Sequence, residues 1–213
     1  MTKNPDRVHH PVFARLFERM SPALDRAGAA RHRERLVAGL AGRVVEVGAG
    51  NGLNFPHYPT TATVVAVEPE PYLRARAAER ATMVSAPVRV VGGTASSLPL
   101  PDDSVDAGVV SLVLCSVADQ AAALAELRRV IRPGGELRYY EHVISRDPTR
   151  ARRQRRIDPI WTRFVGGCHL TRDTERAITD AGFVIGETDR FQFAPSTCSK
   201  LSADHILGRA KRS

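Results

Sequence analysis

The chain has 213 residues, 43% hydrophobic and 25% charged, with 16 glycines and 14 prolines, enough for one domain with a full core. Those fractions exclude a disordered chain, a collagen-like repeat and a disulfide scaffold. The net charge of +8 permits anion binding, but only Lys3, Lys200 and Lys211 are lysines and the other basic residues are arginines. No zinc finger or aromatic-interleaved basic motif accompanies them, so nucleic acid is not the expected partner. Cys115, Cys168 and Cys198 are too far apart for a C-x-x-C pair and no secretory leader precedes them. A reducing cytoplasm and no bound metal are the expectations. No apolar run reaches the ~18 residues of a membrane span, which leaves peripheral contact with an anionic membrane open.

The first ten residues and the last three are polar or basic and predict frayed ends. Residues 11–40 show helical periodicity, with Val12, Phe13, Leu16, Phe17, Met20 and Leu24 on one side and Arg15, Glu18 and Arg19 on the other. Ser21-Pro22 is expected to break this stretch into two helices. The stripe fits a helix packed on the domain, a lid or a membrane-surface helix. Residues 1–42 read as an N-terminal helical lid or appendage and residues 43–213 as the domain proper.

After Gly42 short apolar runs alternate with helical stretches. Strands are predicted at 44–47, 63–67, 88–91, 107–114 and 137–140, with helices around 71–82 and 118–131 and a turn at Pro133-Gly134-Gly135. This alternation predicts an α/β fold with a parallel sheet covered by helices on both faces. Beyond it, residues 172–181 read as a helix closed by Gly182, followed by strands at 183–193 and 201–209. Paired across Ala194-Pro195-Ser196, these give about seven strands, mostly parallel, with an antiparallel edge.

The densest chemical signal is Glu46-Val47-Gly48-Ala49-Gly50-Asn51-Gly52, directly after the first strand. Glycines there allow a tight strand-to-helix turn that brings bare backbone, and the N–H groups of a following helix, against a ligand. A dinucleotide site wants G-x-G-x-x-G, and Leu53 stands where its third glycine belongs, which disfavours NAD and FAD. Glu68-Pro69 ends the second strand, where a carboxylate accepts hydrogen bonds from both ribose hydroxyls of a nucleoside.

In these residues the chain resembles the class I S-adenosylmethionine-dependent methyltransferases, with their E/D-x-G-x-G-x-G turn and their acid after strand two. Gly93-Thr94-Ala95 through Leu98-Pro99, Asp102-Asp103-Ser104-Val105-Asp106 and Arg132-Pro133-Gly134-Gly135 extend the likeness. The resemblance implies a Rossmann-like doubly wound sheet, S-adenosylmethionine as cofactor and S-adenosylhomocysteine as product. It places the cofactor among Glu46, Gly48, Ala49, Gly50, Asn51, Gly52, Asn54, Glu68, Pro69, Thr94, Ala95, Ser111 and Leu112. Thr94 stands where many of these enzymes carry an aspartate for the adenine amino group. Further segments are similar to the thiol methyltransferases of animal membranes and their bacterial relatives: Asn54-Phe55, Tyr58-Pro59, Leu112 to Val117, Glu141-His142-Val143, Asp158-Pro159, Trp161 and Gly167 to Arg172. Where the animal enzymes begin with an apolar anchor, this chain has the amphipathic residues 11–40.

Methyl transfer from a sulfonium is an in-line displacement that needs alignment, exclusion of water and a deprotonated acceptor. A thiol of pKa about 8.5 is partly ionised at neutral pH, so a histidine or nearby cation suffices. His142, past the fifth strand, is the first candidate for that base, with Glu141 to orient or ionise it, and His169 and Asp158 are second choices. Cys115, which also fits as a small core filler, is placed with Trp161 and Phe164 in the acceptor pocket. Six arginines between Arg146 and Arg156 read as a solvated helical face or a basic lip for anionic headgroups. The expected activity is methylation of a small, lipophilic acceptor, a thiol favoured. A quinone or phenol, a phospholipid amine, and a non-catalytic cofactor-binding module remain as alternatives.

Overall fold

The structure, a computed structural model, describes residues 11–195 and 198–213. The predicted fraying of the first ten residues, and Ser196 of the predicted turn, lie outside the described residues. Four valine-rich runs and one longer strand form the parallel part of one sheet: β1 (Gly42–Val47), β2 (Ala62–Val67), β3 (Val88–Val91), β4 (Val105–Ser111) and β5 (Ile131–His142). β6 (Phe183–Gln192) and β7 (Asp204–Arg212) complete it in the order β3-β2-β1-β4-β5-β7-β6. β7 runs antiparallel to both neighbours and lies between β5 and the edge strand β6.

The sheet is Rossmann-like, and its side chains alternate between two cores, as the pleat requires. Val45, Val47, Val110, Leu137 and Tyr139 face α4 (Gln120–Val130) and α6 (Thr174–Asp180). Val44, Val64, Val109 and Tyr140 face α2 (Ala30–Val37) and α3 (Pro71–Ala81). Burial on both faces explains why the central strands read as continuous apolar runs. The helices start where an acidic side chain accepts a backbone N–H of the first turn: Glu70 for α3, Asp119 for α4, Asp173 for α6, and Asp147 for α5 (Pro148–Phe164).

Four local expectations are corrected. The helix α1 (Pro11–Leu24) runs through Ser21-Pro22, because the Ser21 hydroxyl donates to the Glu18 carbonyl that proline leaves without a donor. The break falls instead at Gly28, whose φ of 120° no other residue adopts easily. Strand four ends at Ser111 rather than 114, since Leu112 takes a φ of 59° and turns the chain away. The glycine turn leads to a single 3₁₀ turn, Phe55–His57, rather than to a helix; Pro56 and Pro59 supply no N–H for a helical ladder. Pro133-Gly134-Gly135 is a bulge within β5, between the pairs Val105–Ile131 and Ala107–Glu136.

Leu124 of α4 is fully buried against the sheet, whereas Val184 on the edge strand is 60% exposed. Leu124→Ala is expected to lower unfolding free energy by about 2–5 kcal/mol and Val184→Ala by less than about 1 kcal/mol. Urea denaturation of both variants checks the contrast.

Candidate active site

Strand order reverses between β1 and β4, the topological switch point at which open α/β sheets bind ligands outside the carboxyl ends of their strands. The sequence brings its densest motif there. Gly48, Gly50 and Gly52 all have positive φ, between 57° and 80°. A Cβ on Gly48 would stand 2.5 Å from Val113 Cγ2, so the turn packs bare backbone against the loop after β4. Glu68, at the end of β2, is buried and accepts from the N–H groups of Gly50 at 2.8 Å and Glu70 at 2.9 Å. Burial raises its pKa. Pro69 follows it, and its carbonyl accepts from Arg74 at 3.0 Å.

Glu46 lies beneath the turn and is buried. Its carboxylate accepts from Asn54 Nδ2 and from the Tyr58 hydroxyl, each at 2.9 Å. Arg33 of α2, paired with Asp25 at 3.0 Å, donates to Asn54 Oδ1 at 3.2 Å and Ser111 Oγ at 3.4 Å. Asn51 donates to Glu18 and Ser21 of α1. Phe17 of the same helix sits 3.6 Å from the position of a Cβ on Gly50, beside Ala49 and the rest of the turn. The N-terminal helices are thus wired to the glycine turn. Arg33, Glu18 and Phe17 reach this turn and were not among the sequence candidates; the periodicity of residues 11–40 marked their helices but not which side chains reach inward, whereas Tyr58 was marked only as part of a resemblance segment. Thr94 and Ala95 follow β3, where the Thr94 hydroxyl lies 3.3 Å from Ser96 Oγ.

Glu141 and His142 are consecutive on β5 and therefore point to opposite faces of the sheet. Glu141 is fully buried and accepts three backbone N–H bonds, from Val113, Leu114 and Cys115, at 2.9–3.1 Å. Its hydrogen bonds hold the loop after Leu112 instead of orienting His142 as expected. Burial raises its pKa to about 7 against those three bonds.

His142 meets two sulfurs. Its Nδ1 is 3.3 Å from Cys168 Sγ and 3.8 Å from Cys115 Sγ. The Cys115 thiol is directed at Cys168, which lowers the Cys168 pKa and raises that of Cys115, and His142 adds to the lowering. Both cysteines are buried and free. The wide spacing that argued against a metal set along the chain does not prevent three elements from bringing these residues together. The loop after α5 supplies a second pair: His169 Nδ1 lies 2.9 Å from Asp158 Oδ2, and Asp158 also accepts from Leu170 N at 2.5 Å. The His169 amide donates to the Cys115 carbonyl at 2.8 Å, joining the two loops. Trp161 is partly buried, and its indole N–H, which meets no oxygen or nitrogen acceptor, lies near Cys168 and adds to the lowering of its pKa. Phe164 departs from its expected place on the pocket wall: it is 77% exposed, because it follows Ile160 by one turn on the outer face of α5. The arginines Arg152, Arg153, Arg155 and Arg156 line exposed faces of the same helix.

An open cleft of about 920 Å³ lies elsewhere, lined by α4 and α6 residues together with Asp102, Arg172 and Arg212. It includes no residue of the glycine turn, and two of its arginines, Arg129 and Arg212, are paired with its own Asp102 and Asp103. Size alone does not locate the chemistry.

A turn of positive-φ glycines, an acid one crossover later and a doubly wound sheet define an S-adenosylmethionine-binding class of enzyme. A methyltransferase-domain pattern matches residues 45–139. The chain is 37% identical over 180 residues to the human thiol S-methyltransferase TMT1A, covering 81% of this chain and 72% of that one. It is 32% identical over 211 residues to human TMT1B, covering 93% and 85%. In fold it is similar to a methyltransferase of Thermotoga maritima described as a possible histamine N-methyltransferase (TM-score 0.67, 23% identity, 94% of this chain and 100% of that one). The chain belongs to the family of the thiol S-methyltransferases and is an S-adenosylmethionine-dependent methyltransferase.

Burial pushes the Glu46 carboxyl up to about 7, against the lowering effect of Tyr58, Asn54 and Arg33. The folded protein therefore holds this proton more tightly than the unfolded chain, whose value is near 4.5. The stabilising effect of the protonated carboxyl is complete below about 4.5 and is lost as pH rises to about 7, by up to about 3 kcal/mol. Glu46→Gln is expected to flatten that part of the stability–pH curve relative to wild type, measured by urea unfolding from pH 4.5 to 8.

Proposed function

We propose that the protein methylates a small, lipophilic thiol, with S-adenosylmethionine held across the glycine turn and the acceptor sulfur between the loops that follow β4 and α5. The observation that carries this reading is a juxtaposition. Val113 packs on Gly48, and two residues further on Cys115 meets His142, Cys168 and the Asp158-held His169. The relatives named thiol S-methyltransferases support the choice of nucleophile.

In this reading Glu68 accepts the ribose hydroxyls, exchanging its bond to Gly50 for them, and the N–H groups around Gly48 to Gly52 face the cofactor's amino-acid end. Ser111 and Leu112 close the methionine side, and Thr94 and Ala95 the adenine side. The cofactor supplies an electrophilic methyl group on a sulfonium. The chain's task is to align sulfur, methyl carbon and leaving sulfur, exclude water and take a proton. His142, with its Nδ1 directed at two sulfurs, is placed to hold sulfur. His169 is placed to take the proton, since Asp158 fixes its Nδ1 and leaves Nε2 as acceptor. Helix α1 acts as the cover: Phe17 lies over Gly50 and Phe13 against Gly166 of the loop after α5.

Glu68→Ala is expected to weaken S-adenosylmethionine binding at least tenfold by calorimetry while leaving the circular dichroism spectrum unchanged. In a labelled-methyl competition among alkyl thiol, phenol and aminolipid acceptors, the thiol product should dominate; label in the phenol or the lipid, or in none, overturns the reading. His169→Gln and Asp158→Asn should each lower kcat for an alkyl thiol by about 10²-fold. The loss should shrink for an aromatic thiol that is already ionised.

The same reading includes a peripheral contact with an anionic membrane inside the cell. No helix among the described residues is long and apolar enough to cross a membrane. However, Val12, Leu16 and Met20 form an exposed stripe on α1, and Ile160 and Phe164 are exposed on the arginine-bearing α5. Flotation with vesicles containing phosphatidylglycerol, and none with phosphatidylcholine alone, is the expected result.

A further inference from the structure

We propose that Cys115, His142 and Cys168 form a site for a thiophilic divalent cation, zinc above all, with a fourth position open to the acceptor sulfur. Their ligand atoms all lie within 4.8 Å of one another. The imidazole–sulfur separations of 3.3 and 3.8 Å bracket the edge of about 3.6 Å expected between nitrogen and sulfur on one tetrahedral zinc, given bonds of about 2.1 and 2.3 Å.

Hydrogen bonding alone serves these groups poorly. Both sulfurs face the same ring nitrogen, which offers either one proton or one lone pair, so it cannot satisfy both as a donor. A cation among them would use all three as ligands. Two thiolates and a neutral imidazole would balance a divalent charge, which suits a site where both cysteines are buried. The indole N–H of Trp161 is close enough to Cys168 to help lower that thiol's pKa and has no other partner, a donor of the kind that supports a metal-bound thiolate.

The ligands are held by their surroundings. Cys115 is fixed through its N–H by Glu141 and through its carbonyl by the His169 amide. Cys168 lies between Gly167, whose φ is 82°, and the segment that Asp158 anchors at Leu170. His142 sits in register with His205 in the β5–β7 ladder, with the two rings 4.5 Å apart. Three protein ligands on rigid supports with one vacant position is the pattern of catalytic rather than structural zinc.

The role of the fourth position rests on the thiol reading above. An acceptor thiol would lose its proton to His169 Nε2 on binding there. Its sulfur lone pair would form the new bond to the methyl carbon while the carbon–sulfonium bond breaks, releasing neutral S-adenosylhomocysteine. The thioether, a weaker ligand than the thiolate, would then leave.

The test is a metal titration of the full chain. After incubation with zinc and dialysis against plain buffer, elemental mass spectrometry should find about one zinc per chain in the wild type. It should find less than a quarter of that in Cys115→Ser, Cys168→Ser and His142→Ala variants. Cobalt substituted into the wild type should give intense sulfur-to-metal absorption in the near ultraviolet and visible bands of a tetrahedral ion, a readout that depends on no variant's folding. Wild-type protein that retains no zinc and gives no cobalt spectrum overturns the site, as does a Cys115–Cys168 disulfide in protein purified under reducing conditions. Thiol methylation that proceeds equally fast in metal-free protein overturns the metal's role and leaves the thiol reading standing. Zinc bound at full stoichiometry with no thiol methylated overturns that reading and the fourth-position role, and leaves the ion site standing.

Discussion

One buried carboxylate, that of Glu141, holds the working end of the molecule in shape. The chain leaves β4 through Leu112 in a conformation that favours glycine, and the next three N–H groups point inward, away from water. Left unpaired they would be costly in the interior. Glu141 takes all three. The bend this enforces presses Val113 onto Gly48 and delivers Cys115 to His142, so one side chain sets the geometry of both the glycine turn and the cysteine–histidine cluster. The raised pKa of Glu141 records how much burial opposes the arrangement.

A second network joins what the sequence divides. Asp25, Arg33, Asn54, Glu46 and Tyr58 run in a chain of ion pair and hydrogen bonds from the kink after α1 to the segment beyond the glycine turn. The buried Leu36 and Val37 of α2 belong to the same core as Val44 and Val64. The helical residues before Gly42 are therefore packed into the domain core through α2, while α1 reaches across to the loops. A ligand beneath α1 would be enclosed by a helix whose own anchor points, Asn51 and Gly50, are part of the turn it covers.

The sheet was legible because its signal is local: short apolar runs, valine-rich in the first four strands, set off by helical stretches and glycine punctuation. The glycine turn was legible for the same reason, since consecutive residues build it. What could not be read is what depends on distance along the chain. Cys115, His142 and Cys168 are separated successively by 27 and 26 positions, and no short spacing announces them. Glu141 next to His142 suggested a working pair, yet the pleat sends neighbours to opposite faces. Ser21-Pro22 carried the usual mark of a helix break, and a hydroxyl one residue earlier cancelled it. Phe164 fitted a greasy pocket by composition, and only the rotation of α5 shows that it faces outward.

The position of β7 bears on how the protein is made. Because β7 is inserted between β5 and β6, a strand that follows both in the chain becomes an interior one. Until it emerges, β5 presents a bare, hydrogen-bond-hungry margin just where Glu141 and His142 sit. A chain lacking β7 thus has its sheet unfinished where the Cys115–His142–Cys168 cluster forms, and an unpaired margin of this kind favours self-association.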